Sequence, residues 1–557
     1  MAASTITVRP SAAEIAHAAA AAIPSEVSTR PLLGILGVVT GAGLVTLAGR
    51  LLSLGMTDLR GHVGVSVDDA AWFDSAFNAS LMFIGPFTVY IGGLLGPRSV
   101  LLFAAGLFTV TSIFLPLIHS YSLLIVALIV AGMASGTFYP LTLTFALRNI
   151  PLRYLPFTIA LYAVFVDGGV NVAPSLYGWY RDHLSWEWMF WNSALIAPAM
   201  MVCIYFGIPP QPPRKKSSPV PSFVGFVYLS FGLALIFTAL QQGQRLDWWR
   251  SGVFNGWFWS GSFFLLCSLV RRLRAPNPLV ALPYLAQRNT ILLGCLLFWF
   301  RFTLCTTIIL IPQSLAIRGF EADQIGPAII WSAVPLLPIA FIAALLLLHK
   351  VDPRYLFAAG LACTAFAAWM CSQYDTAWAA QNFYRTELLV GVGQAFAFIG
   401  LVGCIVLQAI FSGGLAKAEW ALSFSAFFHV IRLFGGTAGA IYMGHFLADR
   451  EKLHSNLLGL HVSGDNWITN QNIHAMTAGL YAKSSGMASA GARAIDLIGA
   501  RIRLQAYSLS LVDGFLLLAW SCFCALILVA LLRKSPLNYG DLSAAQQVPG
   551  AGKRSHQ

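Results

Sequence analysis

The chain has 557 residues, of which 57% are hydrophobic and 10% charged, and its mean hydropathy is +0.72. A soluble domain carries roughly 25% charged residues, which excludes a soluble fold, and each membrane-spanning helix takes about 20 mostly apolar residues, which leaves room for many spans and little else. The net charge of +12 is scattered between apolar runs instead of gathered on one basic face, which speaks against nucleic acid and for loops that obey the positive-inside rule.

Residues 1–31 form an Ala-rich tail broken by Pro24, with no basic stretch ahead of an apolar run, so a cleaved signal peptide is not expected. Apolar runs then follow near 32–56, 71–95, 99–118, 121–147, 155–179, 188–208, 222–241, 253–270, 290–313, 325–348, 354–372, 384–411, 420–447 and 508–532, which predicts fourteen spanning helices. The even-to-odd connections carry Arg98, Arg148, Arg153, Arg214, Lys215, Lys216, Arg271, Arg272, Arg274, Arg288, Lys350, Arg354 and Lys417, with Arg533 and Lys534 after the last span, fifteen in all. The short odd-to-even ones carry five, Arg60, Arg181, Arg245, Arg250 and Arg318. This asymmetry puts both termini in the cytoplasm.

The expected organisation is all-α. A cytoplasmic tail (1–31) leads into a six-helix bundle (32–208), a basic Pro-rich linker (209–221) and an extra two-helix hairpin with its own linker (222–289). A second six-helix bundle (290–532) holds one long external loop (448–507) and precedes a cytoplasmic tail (533–557). His445, His454, His461 and His474 lie in or beside that loop at spacings that match no ligand motif, and the nine cysteines sit in or at the edge of apolar segments, so neither a metal nor any other cofactor is expected.

The run GGVNVAPSLYGWYRDHLSWEWMFWN over 168–192 resembles the antiporter signature of fifth helices in the major facilitator superfamily, with Gly169, Pro174 and Gly178 in the pattern and Ala173 and Tyr177 in place of two of its glycines. RLDWW at 245–249, Arg288-Asn289, RLFGGTAG at 432–439 and QAYSLSLVDGF at 505–515 resemble the 14-helix drug:proton antiporter branch, the EmrB/QacA type. The resemblance implies a secondary transporter of the bacterial inner membrane that exports small amphipathic organic compounds or drugs in exchange for protons and partners a periplasmic adaptor protein and an outer-membrane channel. The chain departs from the branch where its first helix usually has an acid, since that place falls near Ala48 with Arg50 two residues on, and where the fourth helix usually has Arg and Gln, since 128–132 reads LIVAG.

Charges at bilayer depth cost several kcal/mol unless paired or hydrated. Arg50, Asp167, Arg301 and Arg432 lie well inside their spans, near the depth where transporters bind substrates and coupling ions. Asp167, the one carboxylate expected at midplane, is the proton-coupling candidate. Arg50 and Arg301 with the neutral polar Asn78, Thr142, Asn171, Thr303, Thr306 and Gln394 are the candidates for the cavity wall. Arg432 with Gly435, Gly436 and Asp513 reads as structural or gating, and Asp74 and Glu387, like Asp513 close to the external face, as hydrated gate or rim groups.

The arginine excess predicts acidic aromatic substrates. Import of a small metabolite on the same fold is the alternative. A membrane enzyme lacks support, since the chain contains no His-Glu-x-x-His, Gly-x-Ser-x-Gly or Walker pattern.

Overall fold

The computed structural model describes residues 30–141, 151, 154–210, 223–274, 285–412, 418–462, 466–484, 486–535 and 537–547. Thr142 and most of the basic linker fall outside the described residues.

The longer helices of the described residues follow in this order: α1 (Pro31–Leu54), α2 (Met56–Val63), α3 (Val67–Leu95), α4 (Pro97–Phe114), α5 (Tyr121–Gly136), α6 (Leu155–His183), α7 (Trp188–Gly207), α8 (Phe223–Gly243) and α9 (Gly252–Arg274). Then come α10 (Arg288–Thr303), α11 (Ile311–Ala316), α12 (Ala322–Ile329), α13 (Leu336–Leu348), α14 (Pro353–Cys371), α15 (Tyr384–Phe411), α16 (Ala418–Gly459), α17 (Trp467–Tyr481), α18 (Met487–Ala530) and α19 (Tyr539–Gln547). Among the described residues twelve segments are long and apolar enough to cross a bilayer, and α10 with α11 and α12 with α13 each form one of them. The long helices α3 and α16 bring the bundle to about fourteen spans.

Local chemistry sets the ends. Pro31 opens α1, Ser66 caps α3 by accepting from the Asp69 amide, and Asp352 caps α14 ahead of Pro353. The first six spans pack among themselves, α1 on α6 and α7, α3 on α5, and α4 on α7. The last six do likewise, α14 on α15 and α18, α16 on α10 and α18. The two six-helix bundles meet along α6 against α12 and α13 and along α3 against α16, while the extra hairpin lays α8 on α3 and α16.

The end of the bundle at which α1 begins is called the near end and the opposite one the far end. At the near end α19 tucks under the second bundle, with Tyr539 buried and its hydroxyl donating to the Gly403 carbonyl at 2.8 Å, and Lys350 paired with Asp541 at 2.7 Å.

The stretch 448–507 is not the loop that composition suggests. The α16 helix has 42 residues and α18 has 44; at about 1.5 Å per residue each exceeds 60 Å, twice the hydrocarbon thickness of roughly 30 Å. Both spans run on beyond the far end as a helical stalk, with α17 packed against α18. Polar residues that remain helical after leaving the apolar stretch account for the difference. At the stalk base, Asp513 takes Arg450 at 2.6 Å and His454 at 2.7 Å. Asp513 is therefore an ion-paired joint between α16 and α18.

Candidate functional site

A cavity of about 550 Å³ lies between α1, α3, α8, α10 and α16, within the roughly 300–1,000 Å³ of small-molecule sites. Its charged wall residues are Arg50, Asp74, Arg245, Arg301 and Arg432, four guanidiniums to one carboxylate.

Each helix delivers its group for a local reason. Arg50 of α1 reaches across to the second bundle and donates from Nη2 to the Ile308 carbonyl at 3.1 Å. That carbonyl belongs to a π-helical turn, Thr306–Leu310, between α10 and α11, a local widening of the kind often found at functional sites. Arg301 extends over Gly435 and Gly436: a Cβ on Gly436 would stand 3.2 Å from Arg301 Nη2, so the glycines make the space the guanidinium occupies. Arg432 lies over the ring of Tyr139, 3.4 Å from its centroid, and the Tyr139 hydroxyl is hydrogen-bonded to Thr46. The Nε of Arg50, Arg301 and Arg432 and the Nη1 of Arg301 are buried without a hydrogen-bond partner in the protein. Behind Arg301 and Arg432 a pocket of about 70 Å³ is walled by Tyr139, Tyr162, Phe300, Phe398, Phe428 and His429.

The opposite wall is a carboxylate and amide array. Asp74 accepts from Asn78 Nδ2 at 2.9 Å and from Gln241 Nε2 at 3.2 Å. Gln242 donates to Ser75 Oγ at 2.6 Å and accepts from Arg245 Nε at 2.6 Å, and Arg245 also sits over Trp72. The extra hairpin thus forms part of the cavity. The consecutive glutamines in an otherwise apolar run were the available signal for it.

Several sequence expectations are redrawn. Arg50, Asn78 and Arg301 line the cavity, and so do Arg432 and Gly436; Gly435 supports Arg301 from below. Asp167 is 1% exposed behind the cavity wall, both its oxygens lack a hydrogen-bond partner, and the nearest charges are Arg301 and Arg432. Asp74, expected at the rim, turns inward and lines the cavity nearer the far end. Asn171 and Gln394 do not line the cavity: Asn171 Nδ2 donates to Gln394 Oε1 at 2.7 Å, a bond that joins α6 to α15 across the bundle interface. Thr303 and Thr306 are buried and donate to their own helix, to the carbonyls of Phe300 and Thr303. Glu387, expected at a hydrated rim, is fully buried; helix rotation, which residue counting does not supply, decides this.

Residues 38–440 match the sequence profile of the Major Facilitator Superfamily. The chain belongs to that superfamily. It is 23% identical over 431 residues to the multidrug export protein EmrB of Haemophilus influenzae, covering 76% of this chain and 82% of that one. It is also 23% identical over 486 residues to the probable multidrug resistance protein EmrY of Escherichia coli, covering 85% and 89%. Among solved structures, the proton:xylose symporter XylE superposes with a TM-score of 0.51 at 11% identity over 93% of this chain and 99% of that one, a likeness of fold alone. The chain is therefore a membrane transport protein and not an enzyme.

In this superfamily member the antiporter-like residues Gly169, Pro174 and Gly178 all sit on α6. Gly169 lies against Gly43 and Leu47 of α1, and Pro174 interrupts the helix interior. Gly178 faces α12 across the bundle interface, where an added Cβ would stand 2.8 Å from Asp323 Cα; Gly326 of α12 answers with 2.6 Å to Ser175 Cα. Around this close crossing the Tyr177 hydroxyl donates to Asp58, and Arg181 reaches Asp58 and Glu321, each at 3.8 Å. Small residues and a half-exposed ion-pair net together hold α6 and α12 to each other at the far end.

Proposed function

We propose that this chain exports small amphipathic organic compounds in exchange for protons, with a preference for acidic aromatics. The observation that carries the substrate class is the four-to-one excess of guanidinium over carboxylate in the cavity wall, with ring-lined space behind it. A guanidinium stays charged at any relevant pH and grips a carboxylate through two hydrogen bonds, and the buried donors of Arg301 and Arg432 have no protein partner to displace. Export is supported by relatives named for multidrug export, and the proton by Asp167, buried beside the same two arginines.

With the near end in the cytoplasm, as the basic loops suggest, the closed α6–α12 crossing is the external gate and the stalk projects into the periplasm. The stalk is then the natural surface for a periplasmic adaptor leading to an outer-membrane channel.

The test is transport into inverted inner-membrane vesicles with an acid interior, over a panel of cationic, neutral and anionic aromatics. Aromatic carboxylates should accumulate, Arg50→Ala and Arg301→Ala should lose them while sparing neutral compounds, and Asp167→Asn should abolish gradient-driven flux while substrate binding persists. A wild type that moves ethidium-like cations and no acid overturns the substrate class.

One observation favours a second reading, uptake together with protons. An acid on Arg301 and Arg432 competes with the Asp167 carboxylate for the same charges, so acid and proton would travel together. Accumulation in right-side-out vesicles under an outside-acid gradient, with none in inverted ones, would select it.

A further inference from the structure

A second buried carboxylate lies away from the cavity. Glu387, on the first turn of α15, has no exposed surface, and neither carboxyl oxygen has a hydrogen-bond partner. Among the described residues no ion pair reaches it. The groups that face it are polar or weakly acidic, Cys371 of α14 and Ser332. An isolated ionised carboxylate in such a place is far costlier than a neutral one, so this position holds a proton in at least one state of the molecule.

What it abuts gives that proton a consequence. The span formed by α12 and α13 is broken between them, a 3-10 turn at Ile330–Ser332 leading into Pro335. Pro335 has no N–H for the Trp331 carbonyl, and the Leu336 amide donates to the Ala333 carbonyl at 3.2 Å instead of one residue further back. Carbonyls are therefore released at the break. One turn beyond Glu387, Gly391 of α15 lies against the Ser332 carbonyl and Pro335 so closely that no side chain would fit. The Ser332 hydroxyl is already committed to the Ile329 carbonyl at 2.6 Å. On its other face, α12 is the segment that meets α6 at Gly178 and Ser175, so the break adjoins the crossing that joins α6 and α12 at the far end.

We propose that Glu387 is a proton-binding site that sets the hinge between α12 and α13. Neutral, its O–H donates to a carbonyl released at the break and holds α12 against α15 and α6. When the proton leaves, carboxylate and carbonyl lone pairs face each other, the contact loosens, and the far-end crossing opens. The site takes only a proton, lies outside the substrate cavity, and acts whatever the charge of the cargo; it rests on the reading of this chain as a proton-driven transporter.

The test uses the full-length protein in lipid nanodiscs, with spin labels at His183→Cys and Gln324→Cys across the far-end crossing. The label distance in the parent protein should change with pH, the change should vanish in Glu387→Gln, which stays neutral, and it should survive in Asp167→Asn. Infrared difference spectra should lose one protonated-carboxyl band in Glu387→Gln and keep that band in Asp167→Asn. Should Glu387→Gln fail to fold, Glu387→Asp keeps the titration in a shorter side chain and should displace the pH midpoint of the distance change. An unaltered midpoint there, or a full pH response in Glu387→Gln, overturns the proposal and leaves the cavity reading intact. A response abolished by Asp167→Asn alone overturns it in favour of the cavity carboxylate. No pH response in the parent protein overturns both.

Discussion

Gly178→Ala is the sharpest probe of the bundle interface, because the added methyl meets backbone and not a side chain that can swing away. Its Cβ would stand 2.8 Å from Asp323 Cα and 3.0 Å from its amide nitrogen, where ordinary contact begins near 3.4 Å. The crossing must open by about 0.6 Å, and forcing extra volume into a packed contact costs about 1–3 kcal/mol. The neighbouring α12 contact at Gly326 is equally tight, so the helices cannot relax by sliding along each other. Only the conformer closed at the far end pays this cost, which shifts its balance with the open conformer by roughly 5- to 150-fold. Double electron–electron resonance between labels on α6 and α12, in lipid, should show the long-distance population rise, with turnover in vesicles falling while the amount of folded protein stays constant. An unchanged distance distribution with full turnover would refute the reading of this crossing as a gate.

The remaining predictions concern orientation and partnership. A reporter active only in the periplasm should work when fused at Asn466 of the stalk and stay silent at Ser217 of the linker; the reverse pattern inverts the topology. Shortening α16 and α18 in step beyond Asp513, so that the Arg450 and His454 pairing is kept, should lower cellular resistance without reducing transport in vesicles. Equal losses in both assays would assign the stalk to gating or folding instead of docking.

The sequence by itself determined the class of molecule, most of its spans to within a few residues and its superfamily, because each of these depends on composition and on order along the chain; the far ends of α16 and α18, polar yet helical, are the exceptions. Long apolar runs have no alternative to helices in a bilayer, and the motif on α6 needs only small residues and a proline at fixed spacing. Arg50, Arg301 and Arg432 were visible for the same reason: a charge in an apolar run is conspicuous wherever its helix turns.

Facing and partnership needed the tertiary structure. Asp74 and Glu387 stand at comparable distances from the ends of their spans, yet rotation turns the first into the cavity and seals the second behind a broken helix. Asn171 and Gln394 looked like two independent cavity groups and are one hydrogen bond between bundles. Gln241, Gln242 and Arg245 belong to a hairpin outside both six-helix bundles, and only its docking on α3 brings them to Asp74 and the cavity. Depth in the membrane follows from counting residues, whereas the surroundings of a side chain depend on the azimuth of its helix and on elements hundreds of residues away, and neither is written in local periodicity.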